Sequence, residues 1–215
     1  MADVVQVLTE IEAERLDLCD FLEQLGPDEW STASLCPGWT VHDVLAHVTT
    51  TTGGKALDGV RAFIRARGNW ERMVADQARA NAAAFPPDVL IEQLRAIAGS
   101  PRRAFGSKPL DPLVDVLVHG QDIARPLGRD RPMPVHRTVP ALQHAIASPW
   151  YGAKKRFRDV RLIATDADWS TGDGSAELRG PAGDLLLVAT GRQAGLGTLT
   201  GDGVQLVTQR LTAKP

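Results

Sequence analysis

The sequence predicts a two-domain α+β protein, with an all-α domain over residues 1–150 and a small α+β domain over residues 151–215. Three observations carry this. Apolar residues recur at helical spacing from Val4 to about Ser148, punctuated by capping residues and proline breaks. Beyond residue 150 short strand-like runs take over, separated by glycine-rich turns. No internal repeat or low-complexity run suggests a solenoid or a disordered chain.

In the first part, Val4, Leu8, Ile11, Leu18, Leu22 and Leu25 keep helical spacing, with Arg15 interrupting the stripe. Gly26-Pro27 ends that helix, because glycine accepts a left-handed cap and proline cannot continue. A loop follows through Trp30 and Cys36-Pro37-Gly38. Thr40 reads as an N-cap with Asp43 as its reciprocal partner, opening a helix from Val41 past Val48. Leu57, Val60, Phe63 and Ile64 predict a short further helix. Asn69 to Phe85 is alanine-rich and helical, stopped by Pro86-Pro87, and Leu90, Leu94 and Ile97 continue as another helical segment. Pro112 occupies the first turn of a helix that carries His119 and ends near Pro126-Leu127-Gly128. Residues 129–137 form an Arg- and Pro-rich connector, and Thr138 to Ser148 predict one more helix. In the second part, Val160–Ala164 and Ser175–Arg179 read as strands around a glycine-rich turn. Pro181–Thr190 reads as an apolar helix and Leu196–Thr200 as a third strand. Gly203–Leu211 fits helix and strand equally.

Composition narrows the function classes. A hydrophobic content of 43% and a charged content of 23% suit a globular chain that builds its core without disulfides. The net charge of −2 gives no electrostatic footprint for nucleic acid or an anionic membrane. No apolar stretch approaches a membrane span, and the first residues lack the basic-then-apolar order of a signal peptide. Only two cysteines occur, Cys19 and Cys36, a usage that suits a reducing cytoplasm. They lack metal-ligand spacing. Ser34 has no nucleophile-elbow context, and Gly195-Leu196-Gly197 is not a dinucleotide motif.

One constellation carries chemistry. On a wheel of 100° per residue, Asp111, Asp115, His119 and Asp122 fall in one sector, with Leu113, Leu117, Ile123 and Ala124 opposite. A solvated polar face is the commoner origin of such a stripe. Here Val114, Val116 and Val118 make the helix apolar over most of its circumference, so the polar stripe can line a cavity. His47 sits on the shoulder of its own helix's apolar stripe, where a core-edge histidine satisfied by a hydrogen bond is the ordinary reading. Two histidines and a carboxylate would hold one divalent metal and leave a coordination position open. Asp43, one turn before His47, is a candidate acceptor that would orient the His47 ring from behind, as well as a capping residue. His42 lies on a different side of its helix from His47, and His136 and His144 are isolated, so these three read as structural or surface groups.

At these residues the chain resembles the mycothiol-dependent maleylpyruvate isomerase family, within the DinB-like four-helix metalloproteins. The resemblance rests on Cys36-Pro37-Gly38-Trp39-Thr40-Val41, Asp43-Val44-Leu45-Ala46-His47-Val48, and Val116-Leu117-Val118-His119-Gly120 with Asp122-Ile123-Ala124. Further on, Ala164 to Ser170, Arg179-Gly180-Pro181-Ala182, Gly191-Arg192 and Leu199 to Val204 resemble the family's C-terminal domain, which is similar to sterol-carrier proteins. The resemblance implies a DinB-like four-helix bundle followed by a small sterol-carrier-like α+β domain. It implies zinc held by a histidine of the second helix and a Glu-x-x-x-His pair, positions taken here by His47, Asp115 and His119. Aspartate is shorter than the family's glutamate by a methylene. Either the helix sits closer to the metal, a water intervenes, or Asp122 supplies the carboxylate.

The resemblance also implies a cosubstrate, the low-molecular-weight thiol mycothiol, whose sulfur binds the metal and ionises. The thiolate would then isomerise, or transfer to, a small electrophilic substrate. Arg192 matches the family's Gly-Arg and would meet a substrate carboxylate; a cation closing a helix C-terminus is its other reading. The competing expectation is a non-catalytic module that keeps the bundle and binds a small ligand or a partner, with or without metal. No residue is singled out as catalytic beyond the metal set.

Overall fold

A computed structural model describes residues 4–50, 67, 69–103 and 106–213. The chain divides into two compact units, Met1–Arg131 and Pro132–Pro215. The division precedes the boundary near residue 150 expected from the pattern. The helix Val135–Ala147 packs against Ala182–Ala189 and so belongs to the second unit. The helix anticipated around Leu57–Ile64 lies outside the described residues.

In the first unit the helices are α1 (Val4–Leu22), α2 (Val41–Thr50), α3 (Trp70–Ala84), α4 (Pro87–Ala96) and α5 (Asp111–Ala124). α2 packs on α3, α4 and α5, while α1 packs on α4 and α5. The core is the set of stripes read from the sequence: Leu18, Leu22, Leu45, Leu90, Leu94, Leu113 and Leu117 are all buried. Each such side chain stabilises the bundle by about 1.5–3 kcal/mol relative to exposure. Arg15, the interruption in the α1 stripe, is buried too. Its Nη1 donates to the carbonyls of Ile97 and Ala98 at 3.1 and 3.0 Å, closing the C-terminal end of α4. Burial lowers its pKa, and the Asp115 carboxylate opposes that shift.

One local cap and one long-range ion pair fix the helices that matter. The Thr40 amide donates to Asp43 Oδ2 at 2.9 Å, and the Asp43 amide donates to Thr40 Oγ1 at 3.1 Å. This is the reciprocal cap expected at the start of α2. Behind α5, Arg131 Nη2 donates to Glu14 Oε1 of α1 at 2.6 Å, with side chains only 5% and 1% exposed. The guanidinium lies over Gly120, where an added Cβ would come within 2.6 Å of Nη1. Glycine at that position lets a buried ion pair press against the helix.

The second unit holds α6 (Val135–Ala147), α7 (Ala153–Arg156), β1 (Val160–Ala164), β2 (Ser170–Thr171), β3 (Ala176–Gly180), α8 (Ala182–Ala189) and α9 (Gly203–Thr212). The sheet order is β2-β1-β3; β1 pairs with β2 antiparallel and with β3 parallel. The glycine-rich segment therefore returns through β2 rather than closing a simple hairpin. α8 is buried on almost every side, under α6, α7, β1 and a 3-10 turn over Gln193–Thr198. That 3-10 turn replaces the third strand expected at Leu196–Thr200. Its one sheet-like trace is Thr200, which exchanges backbone hydrogen bonds with Arg179 at 2.8 and 2.9 Å. No helix among the described residues is long and apolar enough to cross a membrane.

Candidate metal centre

The segment before α2 organises the site. Trp39 N donates to Cys36 O at 3.1 Å, and Gly38 takes a φ of +74°. Proline then glycine at the central positions, with positive φ at the second, makes a type II turn. The turn is fastened at several points. Ser34 N donates to Trp39 O at 2.9 Å, and Leu35 N donates to Asp122 O of α5 at 3.0 Å. Arg79 of α3 donates to Gly38 O at 3.1 Å. The two ends of the turn address the two histidines. Trp39 stands edge-on to His47, with ring centroids 5.3 Å apart at 68°. Cys36 Sγ lies 3.8 Å from His119 Nδ1.

His47 projects from the middle of α2 and Asp115 and His119 from successive turns of α5. Their donor atoms converge. Asp115 Oδ1 lies 3.7 Å from His47 Nε2 and 3.4 Å from His119 Nε2. The imidazole rings are 4.9 Å apart at 77°. One atom from each residue lies within 4.8 Å of the other two. A tetrahedral cation with bonds of about 2.0–2.1 Å spaces its ligands about 3.3 Å apart; the two carboxylate–imidazole edges approach that spacing, and the donors would draw inward to close on an ion. The side chains are 16%, 28% and 12% exposed for His47, Asp115 and His119, so the site is largely shielded from water. Asp115 reaches both rings directly despite its shorter side chain.

Asp122 is fully buried and meets the other side of His119, with Oδ2 2.9 Å from Nδ1. That contact keeps a proton on Nδ1, so Nε2, facing Asp115, is the nitrogen that would give up its proton to a cation. Burial works against charge on both Asp115 and His119, yet their ion pairs outweigh it. Asp115 is held far below the usual carboxylate range by His119 and His47. His119 is raised well above an ordinary histidine by Asp115, with Asp122 and Cys36 adding to the effect. Without a cation the site therefore holds its own proton.

Other candidates fall elsewhere. Asp43 gives its Oδ2 to the Thr40 backbone and hydroxyl, so its observed role is the helix cap. Asp111 accepts from Lys108 N at 2.6 Å at the start of α5. His42 meets the Phe85 carbonyl at 3.1 Å. Arg192, in the second unit, donates from Nη1 to Thr190 O at 3.0 Å, beside the C-terminus of α8. The residue that sequence spacing missed is Cys36, whose Sγ donates to Asp122 Oδ2 at 3.2 Å.

Comparison with known proteins agrees with this architecture. Residues 11–115 match the family model of the mycothiol maleylpyruvate isomerase N-terminal domain. Two uncharacterized proteins from two strains of Mycobacterium tuberculosis are 27% identical over 207 residues, covering 86% of this chain and 77% of theirs. A crystal structure of the mycothiol-dependent maleylpyruvate isomerase superposes with a TM-score of 0.61 at 15% identity, covering 93% of both chains. A mutant of that enzyme superposes equally well at 14% identity. At such identities the structural likeness establishes the two-domain α+β fold.

Proposed function

We propose, from the match of residues 11–115 to the family model of the mycothiol maleylpyruvate isomerase N-terminal domain, that the chain is a metal-dependent enzyme of thiol chemistry. His47, Asp115 and His119 hold one divalent cation, zinc in this reading. The cosubstrate is a low-molecular-weight thiol of the mycothiol class. The reaction is isomerisation of, or thiol transfer to, a small electrophile. The observation that carries the proposal is the convergence of two imidazole Nε2 atoms on a single Asp115 oxygen, inside a shielded bundle.

A bound cation would supply Lewis acidity, lowering the pKa of a thiol that joins it at the open coordination position. The chain's own residues do the rest. Asp122 holds the His119 Nδ1 proton and so keeps Nε2 available. Trp39 limits rotation of the His47 ring. The apolar faces of α2 and α5, with Val44, Leu45, Val114 and Val118 buried, strengthen each charge interaction by excluding water. Arg192 as a partner for a substrate carboxylate is a weaker element, since one of its nitrogens is already engaged at a helix end. The partners are small molecules, and the working compartment in this reading is the cytoplasm.

Calorimetry tests the proposal. The protein should bind one equivalent of zinc, and mycothiol should bind only the zinc-loaded form. His119→Ala should abolish both. Thiol binding of equal strength in His119→Ala protein would overturn the reading, and a thiol-independent role in ligand or partner binding would replace it.

A further inference from the structure

Three donor atoms lie together on the far side of the His119 ring: Cys36 Sγ, His119 Nδ1 and Asp122 Oδ2. We propose that they form a second metal site, back to back with the first, selective for a soft, thiol-seeking divalent cation. The separations are 2.9 Å for His119 to Asp122, 3.2 Å for Cys36 to Asp122 and 3.8 Å for Cys36 to His119. A tetrahedral cation with bonds of about 2.0–2.1 Å to nitrogen or oxygen and 2.3 Å to sulfur needs edges of about 3.3 and 3.6 Å. The triangle already has nearly that size.

Its rigidity argues in the same direction. His119 and Asp122 sit one turn apart on α5. Cys36 comes from a distant segment, but the bond from Leu35 N to Asp122 O ties its backbone to the residue whose carboxylate it meets. The type II turn and the Ser34 hydroxyl, which accepts from Cys36 N at 3.1 Å, hold the thiol in place. Cys36 is half-buried, so a cation can enter from its side. The donor set also differs in kind from the first. One thiolate, one imidazole and one carboxylate favour softer ions than two imidazoles and a carboxylate do.

The ring is shared, and this has a consequence. A neutral imidazole offers one lone pair. With the proton on Nδ1 it serves the His47–Asp115 side; with the proton on Nε2 it serves the Cys36–Asp122 side. Occupation of the second site releases the Cys36 thiol proton and the His119 Nδ1 proton to solvent, and leaves the ring's remaining proton on Nε2. A soft cation there therefore removes His119 from the first set. The two sites alternate, and the second does not require the first to be functional.

Cobalt and cadmium test this. In His47→Ala protein, whose first site is disabled, added Co2+ should give a sulfur-to-cobalt charge-transfer absorption, and the Cys36→Ser change on that background should abolish it. In unmodified protein, saturating Cd2+ should slow alkylation of Cys36 at least tenfold. Absence of the absorption in folded His47→Ala protein, or alkylation of Cys36 unaffected by Cd2+, would overturn the proposal and leave the cluster as a hydrogen-bonded relay. Failure of the first site reads out separately, as loss of zinc binding in unmodified protein while the cobalt–sulfur absorption persists.

Discussion

Breaking the buried pair between Glu14 and Arg131 should strongly destabilise the first unit. Arg131→Met leaves the Glu14 carboxylate, 1% exposed, without the cation that meets it at 2.6 Å. Removing one partner of a buried pair costs about 3–5 kcal/mol. For a chain of this size, that is a fall in Tm of about 6–20 °C. The pair is not an optimal solution, however. Arg131 Nη1 is buried with no hydrogen-bond partner among the described residues, and such an orphan donor costs about 1–3 kcal/mol. Replacing both partners with methionine removes the charge and the orphan together. Glu14→Met/Arg131→Met should therefore melt within about 1 kcal/mol of the native protein, or above it. Differential scanning calorimetry on the metal-free proteins reads both numbers. A double variant as unstable as Arg131→Met would refute the reasoning, because the loss would then come from packing rather than from a buried carboxylate that has lost this cation.

Gly120→Ala should destabilise despite the better helix propensity of alanine, by about 1–3 kcal/mol, because its Cβ meets Arg131 Nη1 at 2.6 Å; chemical denaturation measures it, and on an Arg131→Met background the same change should add almost nothing to the loss. The Asp115–His119 pair sets a pH window for the metal-free protein. Asp115 is depressed, so its contribution is present above its unfolded value of 3.8 and lost as pH falls through its lower folded value. His119 is raised, so its contribution is complete below 6.5 and lost as pH rises through its higher folded value. The pair should thus stabilise most between about pH 4 and 6.5, and Asp115→Asn should flatten that maximum in thermal melts under chelator. Zinc must displace the His119 proton, so its affinity should rise with pH, and calorimetry in buffers of different ionisation enthalpy should register proton release. Asp115→Ala should weaken zinc binding more than Asp122→Ala, which should cost about 10–100-fold as the loss of an orienting contact; the reverse order in a metal titration would reassign the carboxylate.

Much of the fold was legible because helices bury one stripe and announce their ends. Thr40 with Asp43, Asn69 before Trp70, and Pro112 in the first turn of α5 all mark real boundaries. The second unit was harder to read. Leu196–Thr200 carries leucine and β-branched threonine as a short strand would, yet Gly195 lies where an added Cβ would meet Asp184 O at 2.5 Å. Close approach of two backbones, rather than strand pairing, dictates that segment. The parallel pairing of β1 and β3 was hidden for a related reason: β2, between them in sequence though at the sheet's far edge, is two residues long and has no periodicity to detect.

The site shows the same division between local and tertiary signals. Asp115 and His119 are one turn apart on one helix, and helical spacing alone puts them together. His47 needed only the shoulder of a stripe on α2. Cys36 could not be found that way, because metal-ligand spacing rules look for donors close in sequence and its neighbours in space are 83 and 86 residues away. The information was nevertheless present as turn chemistry. Pro37-Gly38 demands a type II turn, and a tight turn sends the residues at its two ends to separate neighbours. Cys36 and Trp39 are those residues, one against His119 and the other against His47. The turn thus couples the two halves of the metal set through backbone geometry. A substitution such as Gly38→Val, which forbids a φ of +74°, should displace both rings' neighbours although it touches neither ring.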